Sequence, residues 1–181
     1  MSAPVTLLVT GSRALADTHN ARWWAVREIL RALADLPLGA TVLHGGARGP
    51  DVWGSEIATT LGCAVLEFSA SGDAWCRSHE AVTQYGHLGR RGFSNGWSWL
   101  ADPPPRGPKG SREWYLARDR AMVQWVSQRE GERCCLALVA PWSTTGGTAY
   151  TARHARLAGI VVTEHVCPRD LGPGAKEVTR G

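Results

Sequence analysis

The residues of this chain best equipped for chemistry are arginines and carboxylates placed beside glycine-rich turns. Arg13 follows Gly11-Ser12, Arg48 follows Gly45-Gly46-Ala47, and Arg118 precedes Asp119 in a stretch with helical spacing. A guanidinium presents a planar fork that matches two phosphate oxygens at once, so Arg13 and Arg118 are candidate phosphate ligands. The plainer reading of each is a surface arginine with acids nearby. Asp51 and Asp119 can accept from ribose hydroxyls, and together with His44 they are the candidate acid–base groups. For Asp51 the competing reading is an ordinary first-turn acid of a helix. For His44 it is a histidine that bonds backbone and fixes a turn. Ser12 has no recognisable His/Asp partner, which argues against a nucleophile. Cys76, His79 and His87 contain a single Cys-x-x-His, too little for a metal site, and no metal is assigned. Nothing in the sequence requires a cofactor, and a role for Mg is left open.

The elements that must position these groups are legible from periodicity. The run Val42 to Glu56 organises the rest: a β-branched and aliphatic strand at 40–44 stops at Gly45-Gly46, and Gly49-Pro50-Asp51 start a helix at 50–61. Glycine lets the backbone turn sharply and approach a ligand, and the unpartnered amides of a helix start favour an anion. No Gly-Lys-Ser/Thr follows, so this is not a Walker loop, nor is it the spaced Gly-x-Gly-x-x-Gly fingerprint. Val5–Thr10 reads as a strand covered on both faces and ends in Gly11-Ser12-Arg13. A helix capped by Asp17 or Thr18 follows, with Trp23, Val26, Leu30 and Leu33 on its predicted buried face. Residues 63–68 form a third strand and 73–85 a short helix. From 86 to 110 the chain is an irregular insertion, including Asp102-Pro-Pro-Pro-Arg-Gly-Pro-Lys-Gly110, which is neither helix nor central strand; lid, partner surface and mere insertion stay open for it. A helix from the Ser111 cap to about Gln128 leads into a buried strand at 133–140, then Thr145-Gly146-Gly147-Thr148, a helix at 148–157 and a last strand at 160–163. From Cys167 the tail is polar.

Strands alternating with helices imply right-handed βαβ units. The expectation is a single-domain α/β protein: a Rossmann-like, doubly wound, mainly parallel sheet of about five strands. Residues 1–166 would form the domain and 167–181 a polar tail. Three glycine-bearing strand ends then fall on one carboxyl edge, where such sheets bind ligands. The predicted ligand set is Gly11, Ser12, Arg13, Gly45, Gly46, Ala47, Arg48, Asp51, Arg118, Asp119, Gly146, Gly147 and Thr148.

Composition sets the limits. The 181 residues carry nine tryptophans and a net charge of +4, which suits a globular protein and permits, without demanding, contact with nucleotides or nucleic acid. No apolar run approaches a membrane span, and the N-terminus lacks the pattern of a signal peptide. Five cysteines, with Cys134-Cys135 inside an apolar run, read as reduced thiols of a cytoplasmic protein. Trp75 and Trp142 fall nearer the expected pocket than the other tryptophans, where packing and base stacking are both open to them.

The order of Gly11-Ser12-Arg13, His44-Gly45-Gly46-Ala47-Arg48-Gly49-Pro50-Asp51, Arg118-Asp119-Arg120-Ala121-Met122 and Gly146-Gly147-Thr148 resembles the YspA-like branch of the SLOG superfamily. That superfamily holds Rossmann-like domains related to DprA/Smf and to the LOG, or lysine-decarboxylase-like, phosphoribohydrolases. The resemblance covers most of 4–166 outside the insertion. It implies a pocket for a nucleotide or nucleotide-derived ligand, of the NAD, ADP-ribose or nucleoside phosphate type, in a domain that senses or binds it, and it implies a homodimer. Two departures stand out. The hydrolytic LOG motif continues into paired glutamates, but Thr148 is followed here by Ala149-Tyr150-Thr151. A nearby carboxylate can stabilise the oxocarbenium-like state of N-glycosidic cleavage, so LOG-type hydrolysis loses its usual group here. Asp119 stands where the branch carries asparagine. It can hold a ribose hydroxyl, orient Arg118, or act as the missing acid. A hydrolase or transferase acting on an N-glycosidic or phosphoester bond is therefore the first alternative. DprA-like DNA binding through Arg106, Lys109, Arg112, Arg118, Arg120, Arg129 and Arg133 is the second, disfavoured because no stacking aromatics interleave those charges.

Overall fold

The computed structural model describes residues 3–70, 72, 74–76, 97–144 and 146–174, with backbone only at 74–76 and 99. The strands are β1 (Val5–Gly11), β2 (Thr41–His44), β3 (Ala64–Phe68), β4 (Ala74–Cys76), β5 (Glu132–Val139) and β6 (Val161–Val166). The helices between them are α1 (His19–Ala34), α2 (Pro50–Thr60), α3 (Arg112–Ser127) and α4 (Gly147–Leu157). They build one sheet in the order β4-β3-β2-β1-β5-β6, with five parallel strands and β4 antiparallel at one edge. The fold is thus the doubly wound, Rossmann-like α/β sheet the alternation of elements implied. Where a helix was expected from 73, the chain instead adds β4; residues 77–96, including the rest of that helix and most of the Cys76, His79 and His87 set, lie outside the described residues.

The sheet is covered on both sides because its inner strands are apolar at nearly every position. In β1, Leu7 and Val9 face α1 and α2, joining Val42, Val65, Leu136 and Leu138, while Leu8 faces α3 and α4 with Leu43, Leu66 and Cys135. Period-two alternation assigns those faces, and burying both of them removes the polar positions that would mark a one-sided sheet.

Helix α1 departs from expectation in phase. Its buried residues are Ala21, Trp24, Ala25, Glu28, Ile29 and Leu33, while Trp23 is 61% and Leu30 45% exposed. Small alanines let the helix sit close to the sheet, so the core stripe is shifted from the one the bulky residues suggested. Thr18 caps α1, its hydroxyl oxygen accepting from Ala21 N at 3.2 Å and its O–H donating to Leu171 O at 2.7 Å. Cys167 is buried, so the described part of the expected peripheral tail packs against the domain. In the insertion, Trp97 is fully buried, donates to Ser69 O at 2.6 Å and packs on Trp114, with ring centroids 4.5 Å apart. It anchors the described part of the insertion, from residue 97 on.

Candidate functional site

Strands β2 and β3 lie on one side of β1 and β5 and β6 on the other, so the order of winding reverses between β1 and β5. The loops leaving those two strands splay apart and leave a crevice. A cleft of about 560 Å³ opens there, lined among others by Gly11, Ser12, Arg13, Ala47, Asp51, Arg118, Asp119, Gly146, Gly147 and Thr148. Ten predicted ligand residues therefore meet at one place. Gly46 and Arg48 instead line an adjoining lobe of about 620 Å³, which shares Arg13, Ala47, Tyr115, Arg118 and Thr144 with the first. Gly45 borders neither, being covered by Arg118.

The turn after β2 is held from within. Asp51 Oδ2 accepts from Gly45 N at 3.1 Å and Ala47 N at 3.2 Å, and His44 Nδ1 accepts from Gly46 N at 3.1 Å. The amides of Gly45, Gly46 and Ala47 in this turn are occupied by the protein's own acceptors. Asp51, one residue after Pro50, places an acid in the first turn of α2, where the helix dipole favours negative charge. The helix-start acid thus has a definite partner set, and Asp51 also lines the cleft. Burial pushes the Asp51 carboxyl up from 3.8 to about 6, against the pull of Arg118 and of the two amides. His44 likewise takes the turn-fixing role: it is 1% exposed, lines neither lobe, and its Nε2 lies 3.8 Å from Glu67 Oε2.

Glycine is required in this loop for two separate reasons. Gly46 has φ +68°, and a Cβ there would lie 2.5 Å from Glu67 Oε1. At Gly45 a Cβ would meet the Arg118 guanidinium carbon at 2.8 Å. At the neighbouring strand end, Gly11 is kept small by the Pro50 ring packed against it.

Arg118 is a structural hub. It is 6% exposed, donates from Nη1 to Gly45 O at 2.8 Å, and pairs through Nε and Nη2 with Asp119 Oδ1 at 3.1 and 2.9 Å. Of the roles open to Asp119, orienting Arg118 is the one this geometry displays. Burial pushes its carboxyl up as well, opposed chiefly by Arg118. Arg13 differs: it is exposed and has no ion-pair partner among the described residues. The ring of Tyr115 stands between the two, 5.7 Å from the Arg13 guanidinium carbon and 5.5 Å from that of Arg118. Ser12 is buried and braces the crevice, its Oγ accepting from Ala140 N at 3.1 Å, so it clamps the ends of β1 and β5 together.

The opposite wall is the start of α4. Its cap residue, Gly146, has no side chain to satisfy the first amides, and Thr148 is buried beside them. An α-helix leaves those amides without internal partners, so this terminus can receive an oxyanion.

Sequence reasoning missed Tyr115, Arg112 and Tyr150 on the cleft wall, and Glu67 behind the loop. The signal for Arg112 and Tyr115 was available in part: the cleft-facing side of α3 recurs at Arg112, Tyr115, Leu116, Arg118 and Asp119. Glu67 interrupts an apolar strand opposite His44 in register, a buried acid that alternation alone marks. Among the basic residues proposed for DNA, Arg120 donates to Tyr150 Oη at 2.9 Å, Arg129 stacks on Trp125 at 4.2 Å, and Arg133 donates to Ser127 O at 2.7 Å. Among the described residues no group of three or more His, Cys, Asp or Glu is placed to hold a metal ion, and no helix is long and apolar enough to cross a membrane.

No family model and no curated protein matches the chain. Among solved structures, it is similar to the X-ray structure of DNA processing protein A (DprA) from Streptococcus pneumoniae, at 13% identity and a TM-score of 0.43. The match covers 88% of this chain and 58% of that one, so the chain spans somewhat more than half the length of that protein.

Proposed function

We propose that this protein binds the phosphate of a nucleotide-derived ligand in the cleft between the ends of β1 and β5, as a sensor or binding domain. The observation that carries the reading is the meeting of the exposed Arg13, which forms no ion pair among the described residues and reaches Asp119 only through its field, with the uncapped start of α4 across one cleft at the point where the sheet's winding reverses. A guanidinium and a set of helix-start amides facing each other supply bidentate and dipolar contacts to one phosphate. Tyr115 and Tyr150 give the cleft aromatic surface for a base or sugar. The motif order shared with the YspA-like branch of the SLOG superfamily points the same way.

The test is calorimetry with AMP and ADP on the wild type and on Arg13→Ala, with a single-stranded oligonucleotide as a separate arm. The expected result is nucleotide binding that Arg13→Ala weakens about tenfold, at unchanged melting temperature. Binding of the oligonucleotide with a steep salt dependence, and of no nucleotide, would favour DNA instead.

One observation favours a catalytic second reading. Asp51 lines the cleft and its carboxyl is raised to about 6, so it exchanges a proton nearer neutral pH than an ordinary carboxyl, as acid–base catalysis requires. Chromatography of nucleotides incubated with the protein, repeated with Asp51→Asn, checks it. Intact nucleotides returned by the wild type leave binding as the function.

A further inference from the structure

The cleft has a second lobe, and its lining differs from the first. Where the phosphate lobe is walled by the helix start of α4, the adjoining lobe of about 620 Å³ is walled by Trp142, Asp17 and Arg48. Arg13 and Tyr115 line both lobes and stand at the join. Trp142 is half-buried, and a Cβ at Gly172 would lie 2.7 Å from its ring, so the C-terminal segment backs the indole on one side while the residue also lines the lobe. A supported aromatic ring beside an exposed carboxylate suits a flat heterocycle: the indole gives a stacking surface, and Asp17 accepts from an exocyclic amine or a ribose hydroxyl. Arg48, exposed and without an ion-pair partner among the described residues, adds a second cation on the same side.

We infer that the ligand has two heads joined by a diphosphate, with one nucleoside in the first lobe, the bridge beside Arg13, and a second base or aromatic ring against Trp142. The inference rests on the phosphate-binding reading above and adds to it a subsite and a ligand class: dinucleoside diphosphates rather than mononucleotides. Volume supports this. Each lobe falls in the range of a complete small-ligand pocket, roughly 300–1,000 Å³, so a mononucleotide leaves one lobe to solvent. Tyr115 lines both lobes where they meet, and a bridging group of two negative charges is what the exposed Arg13 and Arg48, which line the second lobe together, accommodate.

The experiment compares the affinities of ADP, ADP-ribose and diadenosine diphosphate by calorimetry, for the wild type, Asp17→Asn and Trp142→Ala. Diadenosine diphosphate is expected to bind at least tenfold tighter than ADP. ADP-ribose, which lacks the second base, is expected to fall between them. Both variants should bring diadenosine diphosphate down to the level of ADP while ADP itself shifts less than twofold. Asp17 is exposed, so its variant remains informative if Trp142→Ala loses the packing on Gly172 and fails to fold. Equal affinities for ADP and diadenosine diphosphate, or a tighter diadenosine diphosphate that both folded variants leave untouched, would overturn the second subsite while the phosphate site stands. Silence for all three nucleotides would overturn both.

Discussion

Replacing Asp51 by asparagine tests the account of the β2–α2 turn directly. Asparagine keeps an oxygen for the amides of Gly45 and Ala47 and removes the charge that burial makes costly. The sign follows from linkage. A carboxyl that ionises at 3.8 when exposed but at about 6 when folded binds more protons in the native state between those values, so stability falls as pH rises through that window. The interval corresponds to about 3 kcal/mol, fully lost above pH 6. Groups facing Asp51 set the residual field: Arg118 draws it down and Asp119 pushes it up. Asp119 is present in both proteins, and its own contribution largely cancels in the comparison. Urea denaturation from pH 4 to pH 7.5 should show the wild type losing about 2–3 kcal/mol relative to Asp51→Asn across the range. Parallel profiles for the two proteins would show that the buried carboxylate is not the titrating group, and the account of the turn would fail.

Three further outcomes follow from the same geometry. Arg118→Leu leaves Asp119 buried without its cation and the Gly45 carbonyl without its donor, so a loss of about 3–5 kcal/mol by chemical denaturation is expected, with ligand binding lost through the fold. Gly46→Ala should cost about 1–3 kcal/mol, since its φ of +68° is strained for any Cβ and Glu67 Oε1 lies in the way. Ser12→Ala leaves the buried Ala140 amide without its acceptor and should lower stability by about 1–3 kcal/mol, a shift readable as a reduced melting temperature.

The fold was legible because strand, glycine turn and helix recur with the periods that parallel sheets require. The phase of α1 was not. Trp23, Val26 and Leu30 recur at helical spacing and outweigh alanines on any hydrophobicity count, yet Ala21 and Ala25 are the residues the sheet admits. Close approach of a helix to a sheet selects small side chains, and that preference is set by the partner surface. The converging turns were likewise visible, but which amides remain for a ligand was not. Asp51 reads as a first-turn acid whether it faces solvent or reaches back to Gly45 and Ala47; only the turn of the backbone decides. Arg118 and Arg13 are indistinguishable as letters beside motifs. One is buried under Gly45, the other exposed at the cleft, and the difference lies in the 73 residues that separate Arg118 from its carbonyl partner.

That separation has a consequence for the order in which the molecule is made. The segment β1-α1-β2-α2-β3 emerges first during synthesis and contains the whole of the glycine turn with its aspartate, but neither Arg118 nor the strand that Ser12 clamps. Until α3 and β5 arrive, the Asp51 carboxyl lacks its cation and the crevice lacks a wall. Long-range closure of this kind is slow compared with the formation of local helices. The cleft is therefore among the last features to be completed, and a nascent chain with its first half folded lacks the proposed site.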